Sequence, residues 1–235
     1  MSNASLRQRL YVKMIAAIFG AYFRMYHRLK FEGLEYVPTR GPLLIALNHT
    51  SNLEPFALGV ALVERGIVPG VDMWTVSKKE LFKRSWLARL LGSVGMFPID
   101  RENINMSAMR MMVRVLTDGK ILALAPEGTR SPTGKLQLFQ PVIAKIVITR
   151  RVPILPVGVE GADKALSTQS KIPRPVPITL RFGPVFELRE FYDAPLTDEM
   201  VERAAWAMRE HVAALLPERM RELPPYSGRV GARKV

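Results

Sequence analysis

The chain has 235 residues, 48% of them apolar, enough for one globular core with a terminal appendage. It contains no cysteine, which excludes disulfides, thiolate metal sites and a cysteine nucleophile. Lys and Arg number 34 against 21 Asp and Glu, and the net charge of +13 implies an anionic partner: nucleic acid, an anionic membrane surface or a phosphorylated substrate.

From Leu10 to Leu29 the chain is apolar and aromatic, interrupted by Lys13, Arg24 and Arg28. Its longest uncharged run, Met14 to Phe23, is ten residues, about half of what a spanning helix requires. No small-residue cleavage site precedes the basic stretch from Arg24 to Lys30, so a signal peptide fits poorly. Leu10, Met14, Ile15, Ile18, Phe19, Tyr22, Met25, Tyr26 and Leu29 recur at three- and four-residue spacing, which predicts an amphipathic helix with one broad apolar stripe. Residues 1–40 hold seven Lys or Arg against two Glu. A basic flank beside an aromatic and aliphatic face is the pattern of a helix lying in the membrane interface. The competing reading is a helix packed on the domain's own core.

Gly33 and the Pro38–Pro42 region mark a turn-rich junction. Then come a predicted strand at Leu43–Leu47, a helix at Glu54–Glu64, a strand at Met73–Val76, a helix at Leu81–Leu91 and a strand at Met96–Ile99. Asn103–Leu116 has helical spacing in its Met and Val residues, which read as core. Ile121–Ala125 and Ile154–Val159 are uninterrupted apolar runs, and Pro177–Phe182 alternates. Thr197–Leu216 is an amphipathic helix with Thr197 as its N-cap and Glu199 in the first turn. The basic, proline-bearing tail from Pro217 reads as extended or loosely held. Short continuous runs alternating with helices predict an α/β fold whose mixed, mainly parallel sheet is flanked by helices.

Three histidines are the candidates for a base near neutral pH. His27 lies among Arg24, Arg28 and Lys30 and reads as an interfacial helix residue; His211, beside Glu210, reads as solvated or satisfied. His49 follows a buried-type strand, at the strand-to-helix transition where α/β sheets present their sites. Glu54, five residues on, opens a helix. A carboxylate bonded to one imidazole nitrogen fixes the tautomer and steadies the charge when the other nitrogen takes a proton. By spacing alone, however, such a pair arises often by chance.

A second cluster, Pro126-Glu127-Gly128-Thr129-Arg130-Ser131, begins where an apolar run stops. A guanidinium, a hydroxyl and glycine-freed N–H groups suit an oxyanion such as phosphate, although a plain polar turn has the same composition. It is not a P-loop: five residues separate Gly128 from Gly134, and Leu136 stands where Ser or Thr belongs. Arg101, after Asp100, is placed either to meet an anion or to pair with Asp100 or Glu102. Lys78 and Lys79 follow the Met73–Val76 strand, as anion-steering groups or as solvated surface.

Taken in order, Asn48-His49-Thr50-Ser51-Asn52-Leu53-Glu54, Gly95-Met96-Phe97-Pro98-Ile99-Asp100-Arg101, Pro126 to Ser131, and Val152-Pro153-Ile154-Leu155-Pro156-Val157 resemble the four blocks of the glycerolipid acyltransferase family. The resemblance covers roughly residues 30–190. It implies that His49 is the base and Glu54 its partner, that Arg101 and Glu127–Arg130 bind the glycerol and phosphate of the acceptor with Lys78 or Lys79 adding to that site, and that Pro156 belongs to the acyl-donor side. Two positions depart from the pattern: Glu54 stands where Asp is usual, and Pro98 where an aromatic is common.

The expected reaction is direct transfer of an acyl group from acyl-CoA to 1-acylglycerol-3-phosphate, with backbone N–H groups at a strand end stabilising the oxyanion. Glycerol-3-phosphate or another lysolipid is the alternative acceptor, and acyl carrier protein the alternative donor. No G-x-S-x-G elbow is present. Three scattered histidines without Cys argue against a metal, and no cofactor is implied. The expected partners are acyl-CoA, a glycerol-phosphate acceptor and an anionic membrane surface at the cytoplasmic face. Nucleic acid is not expected, since no binding motif is visible, and a non-catalytic basic module is the remote rival. The domains read as a membrane-association helix at 1–30, an acyltransferase domain at 31–216 and a basic tail at 217–235.

Overall fold

A computed structural model describes residues 3–99, 106–170 and 172–221. In chain order the elements are α1 (Asn3–His27), β1 (Lys30–Glu32), β2 (Leu43–Leu47), α2 (Glu54–Glu64), β3 (Met73–Lys78), α3 (Ser85–Ser93), β4 (Met96–Ile99), α4 (Met106–Thr117), β5 (Ile121–Leu124), α5 (Pro141–Arg150), β6 (Ile154–Glu160), α6 (Ala162–Ala165), β7 (Thr179–Phe182), α7 (Asp198–Ala213) and α8 (Glu218–Arg221). Seven strands form one sheet in the order β1-β7-β6-β2-β5-β3-β4. Strands β6, β2, β5, β3 and β4 are mutually parallel; β7 runs antiparallel to β6, and β1 parallel to β7. The mixed, mainly parallel sheet flanked by helices is therefore as expected.

Strands β2 and β5 are buried along their whole length, which is why they read as uninterrupted apolar runs instead of alternating ones. The crossovers through α2 and α3 step one way along the sheet, and those through α4 and α5 step back. Right-handed crossovers accordingly put α2 and α3 on one face and α4 and α5 on the other. Two cores result: Phe23 of α1 and Ala57, Leu58 and Leu62 of α2 pack on the first face, while α4, α5 and α7 pack on the second. The reversal of winding leaves the carboxyl ends of β2 and β5 side by side, Ala46 opposite Leu124, as the place where a site can open.

Several details differ from the sequence reading. The expected helix at Leu81–Leu91 is two pieces, a 3-10 turn at Lys79–Lys83 and α3, separated by the extended Arg84. Helix α5 carries no clear propensity signal, because six of its ten residues are β-branched. Burial of Ile143, Ala144, Ile146, Val147 and Ile148 overrides that, and Pro141 suits its first turn. Strand β1, three residues long, was also unsignalled. The tail is not loose at its start: Met220 of α8 is buried, and its carbonyl accepts the Leu136 N–H at 2.8 Å. Thr197 caps α7 as anticipated, accepting from the Met200 N–H at 3.2 Å.

Helix α1 docks by a stripe other than the one its periodicity singled out. Val12, Gly20, Phe23 and His27 face inward, Gly20 sitting so close to Val60 that a side chain there would crowd it. Leu10, Met14, Ile18, Phe19, Tyr22, Met25 and Tyr26 stay exposed. No helix among the described residues is long and apolar enough to cross a membrane.

Candidate active site

Strand β2 delivers Asn48 and His49 to the carboxyl edge. The buried Asn48 amide continues the ladder to β6 as a strand residue would: its Nδ2 donates to the Val159 carbonyl at 2.9 Å, and its Oδ1 accepts the Val159 N–H at 2.7 Å. The His49 main chain is pinned from the β5 side. Its N–H donates to Glu127 Oε1 at 2.6 Å, and its carbonyl accepts the Ser131 N–H at 2.7 Å. Ser51 ties the far side of the turn, its hydroxyl donating to the Leu166 carbonyl at 2.8 Å.

With the backbone held, the imidazole meets Glu54, whose Oε2 lies 2.8 Å from His49 Nδ1. Glu54 is fully buried, and its Oε1 accepts from the Thr50 N–H at 2.6 Å, the Thr50 hydroxyl at 2.7 Å and the Ser51 N–H at 2.9 Å. An ionised carboxylate surrounded by donors can only accept, so the His49 ring proton sits on Nδ1. Nε2 is left as the acceptor and forms no hydrogen bond among the described residues. The ring is 11% exposed, so this nitrogen stands at the rim of a largely water-excluded site. Glu54 opens α2 with Pro55 behind it, and a first-turn carboxylate is favoured by the helix dipole. The extra methylene relative to Asp is thus accommodated in a nest of four donors.

The second cluster lies beside the first, but its members do different work. Both oxygens of the buried Glu127 are taken by protein donors: Oε1 by His49, Oε2 by the N–H and the Nε2 of Gln137, each at 3.0 Å. Gln137 Nε2 also donates to the Thr129 carbonyl at 2.9 Å. Glu127 therefore holds the His49 backbone and the loop after β5. Gly128, at φ 77°, makes the left-handed turn the loop needs. Arg130 is half-buried on the same loop and has no hydrogen-bond or ion-pair partner among the described residues. Thr129 is exposed. Lys78, also exposed, ends β3 at the same carboxyl edge, one strand beyond β5, and the exposed Lys79 begins the 3-10 turn that follows. Pro156 is a buried residue inside β6, paired with Ala46 of β2 near the carboxyl ends of the central strands. Arg101 and Asp100 lie outside the described residues.

The N–H groups of Thr50, Ser51, Gly128 and Ser131 are all committed to protein acceptors, so none of these four is an oxyanion donor. His27 is not interfacial. It is fully buried at the end of α1, with Nδ1 3.2 Å from the Val176 carbonyl and Nε2 3.3 Å from the Tyr22 hydroxyl, and burial lowers its pKa. His211 stacks on Phe186 at 3.6 Å, and burial lowers its pKa too. Asn48, Thr50, Ser51 and Gln137 were not singled out from sequence. Only the first three had a signal there, as neighbours of His49.

Burial pushes the Glu127 carboxyl up to about 7, against the pull of its His49 and Gln137 donors; the Glu54 charge adds to the rise. A carboxyl raised in the folded state contributes stability that is present below its unfolded value and is lost as pH rises through the folded one. Wild type is therefore expected to lose stability relative to Glu127→Gln between about pH 4.5 and 7, the unfolded and folded values. Chemical denaturation of both proteins across that range checks it, and parallel curves would contradict it.

The structure thus places a His–carboxylate dyad at the carboxyl edge of a wound α/β sheet, beside a guanidinium-bearing loop. Residues 28–160 match the acyltransferase family model, more than half of the chain. The chain belongs to the glycerolipid acyltransferase family. It is 30% identical over 134 residues to the 1-acyl-sn-glycerol-3-phosphate acyltransferase of Bacillus subtilis, covering 57% of this chain and 63% of that protein. It is likewise 30% identical over 158 residues to the enzyme of that name from Cocos nucifera, covering 66% and 48%. The chain thus spans less than two thirds of the length of either relative. The crystal structure of the 1-acyl-sn-glycerophosphate acyltransferase PlsC from Thermotoga maritima superimposes with a TM-score of 0.69 at 21% identity, over 92% of this chain and 83% of that one, which establishes a shared fold.

Proposed function

We propose that this protein transfers a fatty acyl group from a thioester donor, acyl-CoA, to the free hydroxyl of 1-acylglycerol-3-phosphate, making phosphatidate. The observation that carries the reading is the buried Glu54 on His49 Nδ1, which aims a basic Nε2 at the rim of the site. His49 Nε2 takes the hydroxyl proton as that oxygen attacks the thioester carbonyl. The tetrahedral intermediate then collapses, the C–S bond breaks, and the proton passes to the departing thiolate. Glu54 steadies the imidazolium between these steps. Arg130 meets the acceptor phosphate, assisted from the neighbouring strand by Lys78 or Lys79. No cofactor takes part. The names of the Bacillus and Cocos relatives support lysophosphatidate as the acceptor.

Thiol release from palmitoyl-CoA, followed separately with lysophosphatidate and with glycerol-3-phosphate, tests the assignment. Release dependent on lysophosphatidate is expected. Release with glycerol-3-phosphate alone would move the chain to the other branch of the family, and palmitoyl-acyl carrier protein in place of palmitoyl-CoA decides the donor.

The enzyme works at the surface of an anionic membrane, held there from the cytoplasmic side by the exposed apolar stripe of α1. Replacing Ile18 and Phe19 by Glu is expected to release the protein from phosphatidylglycerol vesicles. Ile18 is well exposed and Phe19 gives up only its stack on Phe56, so the protein should stay folded with a slightly lower melting temperature. Unchanged sedimentation with the vesicles would remove α1 from the membrane contact.

A further inference from the structure

Helix α3 presents a face that the fold leaves uncovered. Leu87 and Leu91 lie four residues apart and turn inward, with Leu91 buried. Trp86 and Leu90, also four apart, turn outward and are 60% and 38% exposed. The 3-10 turn before the helix adds Leu81, exposed as well. The charge around them has one sign: residues 78–93 carry five Lys or Arg and a single acid, Glu80. An aromatic and two leucines framed by cations match the interface of an anionic bilayer, where Trp sits at headgroup level and cations lie against lipid phosphates.

The position of α3 makes this more than a local feature. Its crossover puts it on the same face of the sheet as α2, over which α1 lies, and Gln8 Nε2 of α1 donates to the Ser93 carbonyl at the end of α3, at 3.2 Å. From there α1 crosses the face to Phe19, which stacks on Phe56 two residues past Glu54, their ring centroids 5.2 Å apart. The segment leading into α3 leaves the sheet at Lys78, on the same carboxyl edge as His49. Two uncovered apolar faces with cationic surroundings therefore border the edge that carries the base.

We infer that residues 79–93 form a second membrane-docking element, in which Trp86, Leu90 and Leu81 enter the interfacial layer of an anionic bilayer while Lys83, Arg84 and Arg89 meet its headgroups. This rests on the membrane reading of α1 and adds an orientation to it. A single interfacial helix leaves the domain free to roll about the helix axis; a second contact off that axis stops the roll. The bilayer is then held against the carboxyl edge, so that a lipid acceptor reaches His49 from the membrane without passing through water.

The absence of cysteine makes the test direct. Single substitutions Ile18→Cys on α1, Leu90→Cys on α3 and Lys145→Cys on the opposite face are labelled with an environment-sensitive nitrobenzoxadiazole dye and mixed with phosphatidylglycerol–phosphatidylcholine vesicles. Emission at positions 18 and 90 is expected to rise and to be quenched by lipid spin-labelled high in its acyl chain, while position 145 stays silent. In the unlabelled protein, the double variant Trp86→Glu/Leu90→Glu is expected to bind the same vesicles about tenfold more weakly with an unchanged melting temperature. A response at 18 without one at 90, together with unimpaired vesicle binding by the double variant, overturns the role of α3 and leaves α1 as the membrane contact. Silence at both positions overturns both. A rise at 90 on concentrating the protein without vesicles assigns the face to a second copy and also overturns the proposal.

Discussion

His49→Ala is expected to lower kcat for acyl transfer by about 10²–10⁴-fold, the contribution typical of a positioned general base, with the protein still folded. The two halves of that expectation have separate origins. The imidazole supplies Nε2, and no other histidine can replace it: His27 is buried against Tyr22 and Val176, and His211 is stacked on Phe186. The loop itself is held by groups that the substitution leaves in place. The residue-49 N–H still reaches Glu127, its carbonyl still accepts from Ser131, and Glu54 keeps its Thr50 and Ser51 donors. Steady-state rates with saturating lysophosphatidate, read beside a thermal melt, separate the two effects. A variant that melts like wild type and keeps more than a tenth of its kcat would show that His49 is not the base.

Glu54 offers the second large effect, and the choice of substituent decides its kind. In Glu54→Gln the side-chain oxygen can still accept from Thr50 and Ser51, but the amide nitrogen then faces His49 Nδ1 as a donor. The imidazole answers by moving its proton to Nε2, the nitrogen that has to be basic. The equivalent carboxylate-to-amide change in a serine–histidine–aspartate triad lowers kcat by about 10⁴ through the wrong tautomer, and a loss of about 10³–10⁴ is expected here. Stability should change little. Glu54→Ala removes the acceptor for four donors at a fully buried position. Each stranded buried donor costs about 1–3 kcal/mol, and their sum approaches the 5–15 kcal/mol that typically holds a domain together. Glu54→Ala is therefore expected to be unfolded or nearly so. Circular dichroism distinguishes the two variants. If Glu54→Gln turned over at the wild-type rate, the dyad would be structural only.

Much of the architecture could be read from local pattern. The spans Leu43–Leu47, Glu54–Glu64 and Met96–Ile99 are the same in the sequence reading and in the fold. Strands buried on both faces must be apolar throughout, and α2 begins at a first-turn acid followed by proline. Helix α5 escaped because its β-branched residues argue against a helix, and only the core packed over it reverses that preference. The stripe on α1 was legible as apolar, but its direction was not. A helix apolar on more than one side does not say which side a partner already occupies, and the neighbour that settles it, Val60, lies 40 residues beyond Gly20.

The site divides along the same line. The sequence by itself determined the chemistry at hand: one histidine at a strand end, a carboxylate five residues on, a cationic loop and no thiol. Short-range spacing suffices for those, since His49 and Glu54 share one turn. Only the tertiary structure decided what each group is free to do. Glu127 sits in a block whose pattern speaks only of substrate, and the fold fastens it to the His49 N–H, 78 positions earlier, and to Gln137. Asn48 looks like a spacer, yet its amide is fastened to Val159, 111 positions later. A buried polar group has to find its partner wherever the fold brings one, because leaving it unpaired costs more than most single contacts contribute. Where those partners lie is a property of the sheet order, which no local stretch of sequence carries.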